Sequence, residues 1–170
     1  ITEMLVGDMG QYAHGNQPIQ HAIYLYNWLE QPWKTQMRAR EIMDKLYSSA
    51  PDGLCGDEDN GQTSAWYVFS AIGFYPVTPG TGQYAIGSPL FKNVKLHLQN
   101  GNTFEIKAPN NSNKNIYING IYKNKSSYNK NYITYKDIMN GSVFSTEMSS
   151  EPNMNLGTDQ SSKPYSVSQD

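Results

Sequence analysis

The sequence predicts an α+β fold: a helical segment in residues 1–75, a small antiparallel β-module in residues 76–150, and a tail over 151–170 that lies on the surface or is disordered. Three observations predict it. Apolar residues recur at helical spacing up to Ile72 and alternate with polar ones from Val94 onward. Charge divides at the same place, with nine acidic against four basic residues in 1–75 and six against nine in 76–170. Asparagine divides too, three before Tyr75 and fourteen after it, as a module rich in turns requires.

Asn16 or Gln17 caps a first helix with Pro18 in its first turn, where the missing N–H costs nothing. Ile19, Ala22, Ile23, Tyr26 and Leu29 then fall on one face. Pro32 opens a second helix after a short turn. Ala39, Ile42, Met43 and Leu46 form its apolar face, Glu41 and Lys45 are an exposed i,i+4 pair, and the two helices should form an antiparallel hairpin. A third helix runs from about Gln62 to Ile72 and is stopped by Gly73 and Pro76. Ala65, Trp66, Val68, Phe69, Ala71 and Ile72 leave it almost no charged face, so it must be surrounded by protein. Two amphipathic helices cannot enclose it, and further helical partners are expected outside these residues or on another chain.

In the second half Val94, Leu96 and Leu98 alternate with polar residues, Asn100-Gly101 signals a type I′ turn, and Phe104, Ile106 and Ala108 alternate back as a hairpin. Ile116, Ile118 and Tyr122 continue the pattern, with Asn119-Gly120 as either a turn or a bulge. Tyr132 to Tyr135 and Ser142 to Met148 supply two more strands, joined by a helical turn over Lys136 to Asn140.

The whole composition, 38% apolar and 16% charged with net charge −2, excludes a membrane protein, a disordered chain and a nucleic-acid binder. Cys55 is the only cysteine, which excludes an internal disulfide or a four-cysteine zinc site and suits a small apolar filler. The chain opens Ile-Thr-Glu-Met, with no start methionine or leader pattern, so Ile1 is not expected to be a native N-terminus.

Chemistry concentrates in Gly53-Leu54-Cys55-Gly56-Asp57-Glu58-Asp59-Asn60-Gly61-Gln62, where three consecutive carboxylates precede the buried third helix. A helix N-terminus favours ionised carboxylates, which can act as bases or metal ligands but are poor acids. Two readings stay open. Asp59 or Asn60 caps the helix while Asp57 and Glu58 face solvent, or the carboxylates work. The spacing does not fit a helix–loop–helix calcium loop. A second stretch, His14-Gly15-Asn16-Gln17-Pro18, offers carbonyl oxygens suited to hard cations and sugar hydroxyls, although capping by Asn16 explains it equally well. His14 and His21 lack a third ligand nearby, which argues against zinc.

The runs His14 to Pro18, Gln31-Pro32-Trp33-Lys34, Gly56 to Ser70 and Gly73-Phe74-Tyr75-Pro76-Val77 resemble the C-terminal part of glycoside hydrolase family 92. Gly87 to Phe91, Ala108 to Ser112 and Asp137 to Gly141 extend the resemblance to about Asn153. It implies a calcium-dependent, inverting exo-α-mannosidase, α-1,2-type, that removes terminal mannose from glycans. The helices would be the last of a truncated (α/α)6 catalytic barrel, and the protein a periplasmic or extracellular one from a bacterium. Asp57 and Asp59 match the family's base pair; His14 and Glu58 fall among substrate-binding positions, and Asn16 and Gln17 among calcium ligands. At Gln17 the family often carries an acidic residue, so a neutral carbonyl stands where a charge is common. The family's general acid is a glutamate upstream of this region, and Glu3, Glu30 and Glu41 do not sit in its motif. The partners implied are mannose-containing glycans and the remainder of the catalytic domain, with no nucleic acid and no membrane span. A non-catalytic carbohydrate-binding or interaction module is the alternative.

Overall fold

The structure is a computed structural model that describes residues 9–169. Glu3 lies outside them. The first helix of the sequence reading is instead two 3-10 turns, Gln17–Ile19 and Ala22–Asn27. The cause is competition for carbonyls. The Trp66 indole Nε1–H donates to Gln20 O at 3.0 Å and the Thr35 hydroxyl to Ile23 O at 2.9 Å, while Tyr24 N–H turns back to His21 O, three residues away. Donors from elsewhere thus occupy carbonyls that an α-helix would use internally. Tyr24 and Asn27 are buried, while Leu25 and Leu29 of the expected face are exposed.

Helix α1 (Pro32–Leu46) starts on its proline and buries Ala39, Ile42, Met43 and Leu46 as expected. Glu41 bridges Lys45 at 2.8 Å and Arg38 at 2.5 Å on its outer side. Helix α2 (Gln62–Ile72) has the expected bounds and ends at Gly73, whose φ of 120° reverses the chain. It buries Thr63, Trp66, Ser70 and Ala71, but Val68 is 54% exposed. This chain therefore covers one side of α2.

The second half holds strands β1 (Phe74–Tyr75), β2 (Gln83–Ile86), β3 (Asn93–His97), β4 (Thr103–Lys107), β5 (Tyr117–Lys123), β6 (Ser126–Ser127) and β7 (Tyr132–Thr134). Helix α3 (Tyr135–Met139) and strand β8 (Val143–Ser149) complete it. One antiparallel sheet has the order β1-β2-β7 and the other the order β3-β4-β8-β5-β6. The expected antiparallel module is thus corrected: β4 and β8 pair in parallel, as the long connection through β5–β7 and α3 permits. The β3–β4 turn also differs from expectation. Gly101 N–H donates to Leu98 O and only Gly101 has positive φ, 84°, so Leu98–Gly101 is a turn closed by a glycine bulge rather than type I′. Asn119-Gly120 is a bulge, with the register shifting between Ile118 and Gly120.

Two hydrophobic clusters result, one around Trp66, Tyr24 and Ile42, the other around Phe104, Phe144 and Ile118; Phe69 touches both. Phe74 belongs to the strand cluster and Tyr75 to the helical one, so adjacent residues of β1 face different cores. The tail runs along the surface in order, pinned by Asn131 N–H to Ser162 O at 2.8 Å and Trp28 Nε1–H to Tyr165 O at 3.0 Å. Among the described residues no helix is long and apolar enough to cross a membrane.

Candidate active site

The acidic loop meets the start of α2 through a dense set of bonds. The Glu58 carboxylate accepts Gly61 N–H through Oε2 and Ser64 N–H, at 3.2 Å, through Oε1, so Glu58 caps the helix rather than Asp59 or Asn60. Hydrogen bonds from Ser64 and then Gly61 hold its carboxyl below the usual carboxylate range. Asp59, Asn60 and Gly61 all have positive φ, 51°, 56° and 101°, a left-handed run that turns the chain into the helix. The Asp57 and Asp59 side chains are exposed.

Backbone and side chains of the His14–Pro18 stretch brace this loop. A β-carbon on Gly56 would lie 2.6 Å from the Gly15 α-carbon, so the two stretches touch where neither has a side chain. Gln17 Nε2 donates to Asp57 O at 2.7 Å and to Thr63 Oγ1 at 3.2 Å, and Thr63 Oγ1–H itself donates to Asp57 O at 3.0 Å. Gln20 Nε2 ties Thr63 Oγ1 to His14 O. The backbone of Asp57 is thereby fixed while its carboxylate stays free for water.

His14 is fully buried beneath this brace, 4.3 Å edge-on from the Trp66 ring. Tyr47 O–H donates to Thr63 O at 3.2 Å, so its oxygen accepts from His14 Nε2–H at 2.6 Å, which leaves Nδ1 to accept Tyr12 O–H at 2.7 Å. That chain of bonds assigns the neutral tautomer, and burial lowers the imidazole pKa to about 4. Burial raises the Tyr12 and Tyr47 phenols above their ordinary value.

The structure brings Asp57, Glu58, Asp59, Asn16 and Gln17 to one corner but gives two of the expected residues other work. His14, expected to touch substrate, has both nitrogens engaged within the protein, so a sugar contact would have to break one of those bonds. Glu58, expected there too, uses both oxygens on the helix cap. Asn16 makes no side-chain capping bond. Gln17 leaves Oε1 beyond its two amide bonds, a neutral oxygen of the kind hard cations accept. Among the described residues no three His, Cys, Asp or Glu side chains form a metal-holding group. A calcium ion here would thus combine Asn16 and Gln17 amide oxygens with one carboxylate or backbone oxygens, a donor set that fits calcium and excludes softer metals. The sequence does not announce Thr63, Gln20 and Tyr47 as site residues, since the bonds that join them, from Gln17 and Gln20 to Thr63 and from Tyr47 to Thr63, span 16 to 46 residues.

Exposed carboxylates on a braced helix start are open to water and can act as bases. The chain belongs to glycosyl hydrolase family 92, whose catalytic domain matches residues 2–150. Among solved structures it is similar to a family 92 inverting mannosidase from Bacteroides thetaiotaomicron VPI-5482, with 55% identity, a TM-score of 0.90, and 98% of this chain covered against 22% of that one. A family 92 alpha-mannosidase from Bacteroides thetaiotaomicron matches with 43% identity and a TM-score of 0.91, over 95% of this chain and 22% of that one. A secreted glycosidase from Arthroderma benhamiae is 28% identical over 90% of this chain and 20% of its own length. The chain thus spans about a fifth of the length of these relatives.

Proposed function

We propose that this chain forms the C-terminal part of a calcium-dependent inverting exo-α-mannosidase, acting on terminal α-1,2-linked mannose of glycans outside the cytoplasm. Asp57 and Asp59 orient and deprotonate the attacking water. One observation carries the reading: the two carboxylates are exposed while the backbone that bears them is fixed by Gln17, Thr63 and Glu58. A base held this way keeps its place as water attacks, which is what general-base catalysis needs. Near-identity of fold and 55% sequence identity to an inverting mannosidase support the substrate class. Asn16 and Gln17 would hold calcium, which when bound supplies a template and Lewis acid for sugar hydroxyls.

Inversion requires a second carboxyl group roughly 6.5–9.5 Å from the base, across the sugar. Among the described residues, Glu30 and Glu41 of the helical segment do not suit that role. Glu30 pairs with Lys163 at 2.9 Å, and Lys45 and Arg38 hold the Glu41 carboxyl below its ordinary range against the effect of burial, the reverse of what an acid needs. The acid therefore comes from the remainder of the catalytic domain. In the full-length protein, Asp57→Asn and Asp59→Asn should each lower kcat by roughly 10²–10⁴ with α-mannoside substrates. Proton NMR of the first turnover should show β-mannose, and chelation should remove activity that added calcium restores. Full activity in Asp59→Asn overturns the assignment. Calcium-independent mannose binding that ignores the substitution would instead favour a non-catalytic carbohydrate-binding module.

A further inference from the structure

The sequence contains four Asn-Gly pairs, at 60–61, 100–101, 119–120 and 140–141. This dipeptide is the one most open to intramolecular deamidation, because glycine leaves its own nitrogen sterically free to attack the preceding side chain. At two of the other pairs the glycine nitrogen donates to a backbone carbonyl, and the third lies at the β5 bulge. Gly101 N–H donates to Leu98 O at 3.0 Å and Gly141 N–H to Ile138 O at 2.9 Å, while Gly120 lies within β5, in register with Glu147 of β8. At Gly61 the acceptor is a side chain, Glu58 Oε2. Asn60 is exposed, and Asp59, Asn60 and Gly61 hold a left-handed run whose carbonyls, at Asp59 and Gly61, accept from Gln62 N–H at 3.3 Å and Ala65 N–H at 2.8 Å.

We propose that Asn60 is a deamidation site in the acidic loop and that the Glu58 carboxylate guards it by holding the Gly61 nitrogen. The reaction is self-contained apart from water. The Gly61 nitrogen loses its proton and bonds to Asn60 Cγ; the Cγ–Nδ2 bond breaks, and Nδ2 departs as ammonia with that proton. Water then opens the resulting five-membered imide at either carbonyl, giving an aspartyl or an isoaspartyl linkage. Attack requires the N–H to leave its acceptor, and a charged acceptor holds it more firmly than a neutral one. The carboxylates of Asp57, Glu58 and Asp59 further disfavour the nitrogen anion through which attack proceeds. Both products add a carboxylate beside Asp59, and the isoaspartyl product also lengthens the backbone between Asp59 and the first turn of α2. The guard is thus placed where damage would reach the water-facing residues. This inference concerns the chemistry of the chain and stands whether or not Asp59 is a base.

The test is peptide mapping by mass spectrometry after prolonged incubation at mildly alkaline pH, reading the one-dalton gain at all four asparagines of the same sample. In the unmodified protein, Asn60 should convert no faster than Asn100 or Asn140. In Glu58→Ala, conversion at Asn60 should rise roughly tenfold, the scale of losing one charge-assisted bond, while the other three stay unchanged. An unchanged rate at Asn60, or Asn60 already the fastest site with Glu58 in place, overturns the proposal. If Glu58→Ala loosens the whole fold, all four sites rise together, and Glu58→Gln then decides. It keeps a neutral acceptor oxygen, so a smaller rise confined to Asn60 supports the guard and no rise refutes it.

Discussion

At His14 the packing decides the charge. Tyr47 donates onward to Thr63 O, which commits Nε2–H to Tyr47 and Nδ1 to Tyr12; a second ring proton would face a donor instead of an acceptor. The folded imidazole pKa is lowered to about 4 by burial, whereas an unfolded chain titrates near 6.5. Between those values the unfolded state binds a proton that the folded state refuses. Stability is therefore complete above about pH 6.5 and falls as pH drops towards about 4, by about 3 kcal/mol in all. Urea unfolding midpoints measured from about pH 7 down to about pH 5 should record this slope, and His14→Phe should flatten it. The lowered carboxyls of Glu41 and Asp137 withdraw their stabilisation only as pH falls through their own, more acidic range, so they do not supply the slope. A flat profile in the unmodified protein would refute the neutral, buried assignment. That His14 was special could be read from its Gly-Asn-Gln-Pro neighbourhood. That it is a brace could not, because Tyr47 stands 33 residues away.

Elements marked by backbone chemistry were legible, and elements decided by side chains from a distance were not. Pro32 and Gly73 fix the ends of α1 and α2 whatever surrounds them, which is why those bounds agree with the sequence reading. Residues 17–29 have the apolar spacing of a helix, yet Trp66 and Thr35 capture carbonyls there and the backbone tightens into 3-10 turns. The parallel β4–β8 pairing was invisible for the same reason, since strand periodicity carries no direction. Thr35 tests the argument. Thr35→Val keeps shape but removes the donor to the buried Ile23 carbonyl, and should destabilise the protein by about 1–2 kcal/mol, while Thr35→Ser should cost less. Denaturant unfolding reads the difference. Equal stability of Thr35→Val and the unmodified protein would mean that the hydroxyl does not set the backbone here.

The molecule as a whole has an uneven distribution of work. Its strand-rich half bonds much of its own polar surface, with Asp137 in a capping box at Thr134 and ion-paired to Lys123, and with Tyr122 and Tyr128 hydroxyls bonded within the module, and it leans on the helical half where Ile118 N–H donates to Gln36 Oε1 of α1. Its helical half is one-sided. Leu29, in the turn before α1, is 62% exposed, and Val68, on the helix that follows the acidic loop, is 54% exposed. The expectation that α2 needs more protein around it rested on its composition alone, and the exposed Val68 is what that composition produces when only one side is covered. The carboxylates show the same asymmetry. Asp57 and Asp59 share one exposed loop on one side of α2, while Glu30 and Glu41 are held in ion pairs. If the proposed mechanism holds, residues 1–170 expressed alone should release mannose from an α-mannoside slower than the full-length enzyme by roughly 10²–10⁴ or more, the share of the missing acid. Adding the remainder of the catalytic domain as a separate chain should recover activity only with Asp57 and Asp59 intact. A rate near that of the full-length enzyme from these residues alone would place the acid within them, and the division of labour argued from Asp57 and Asp59 would fall.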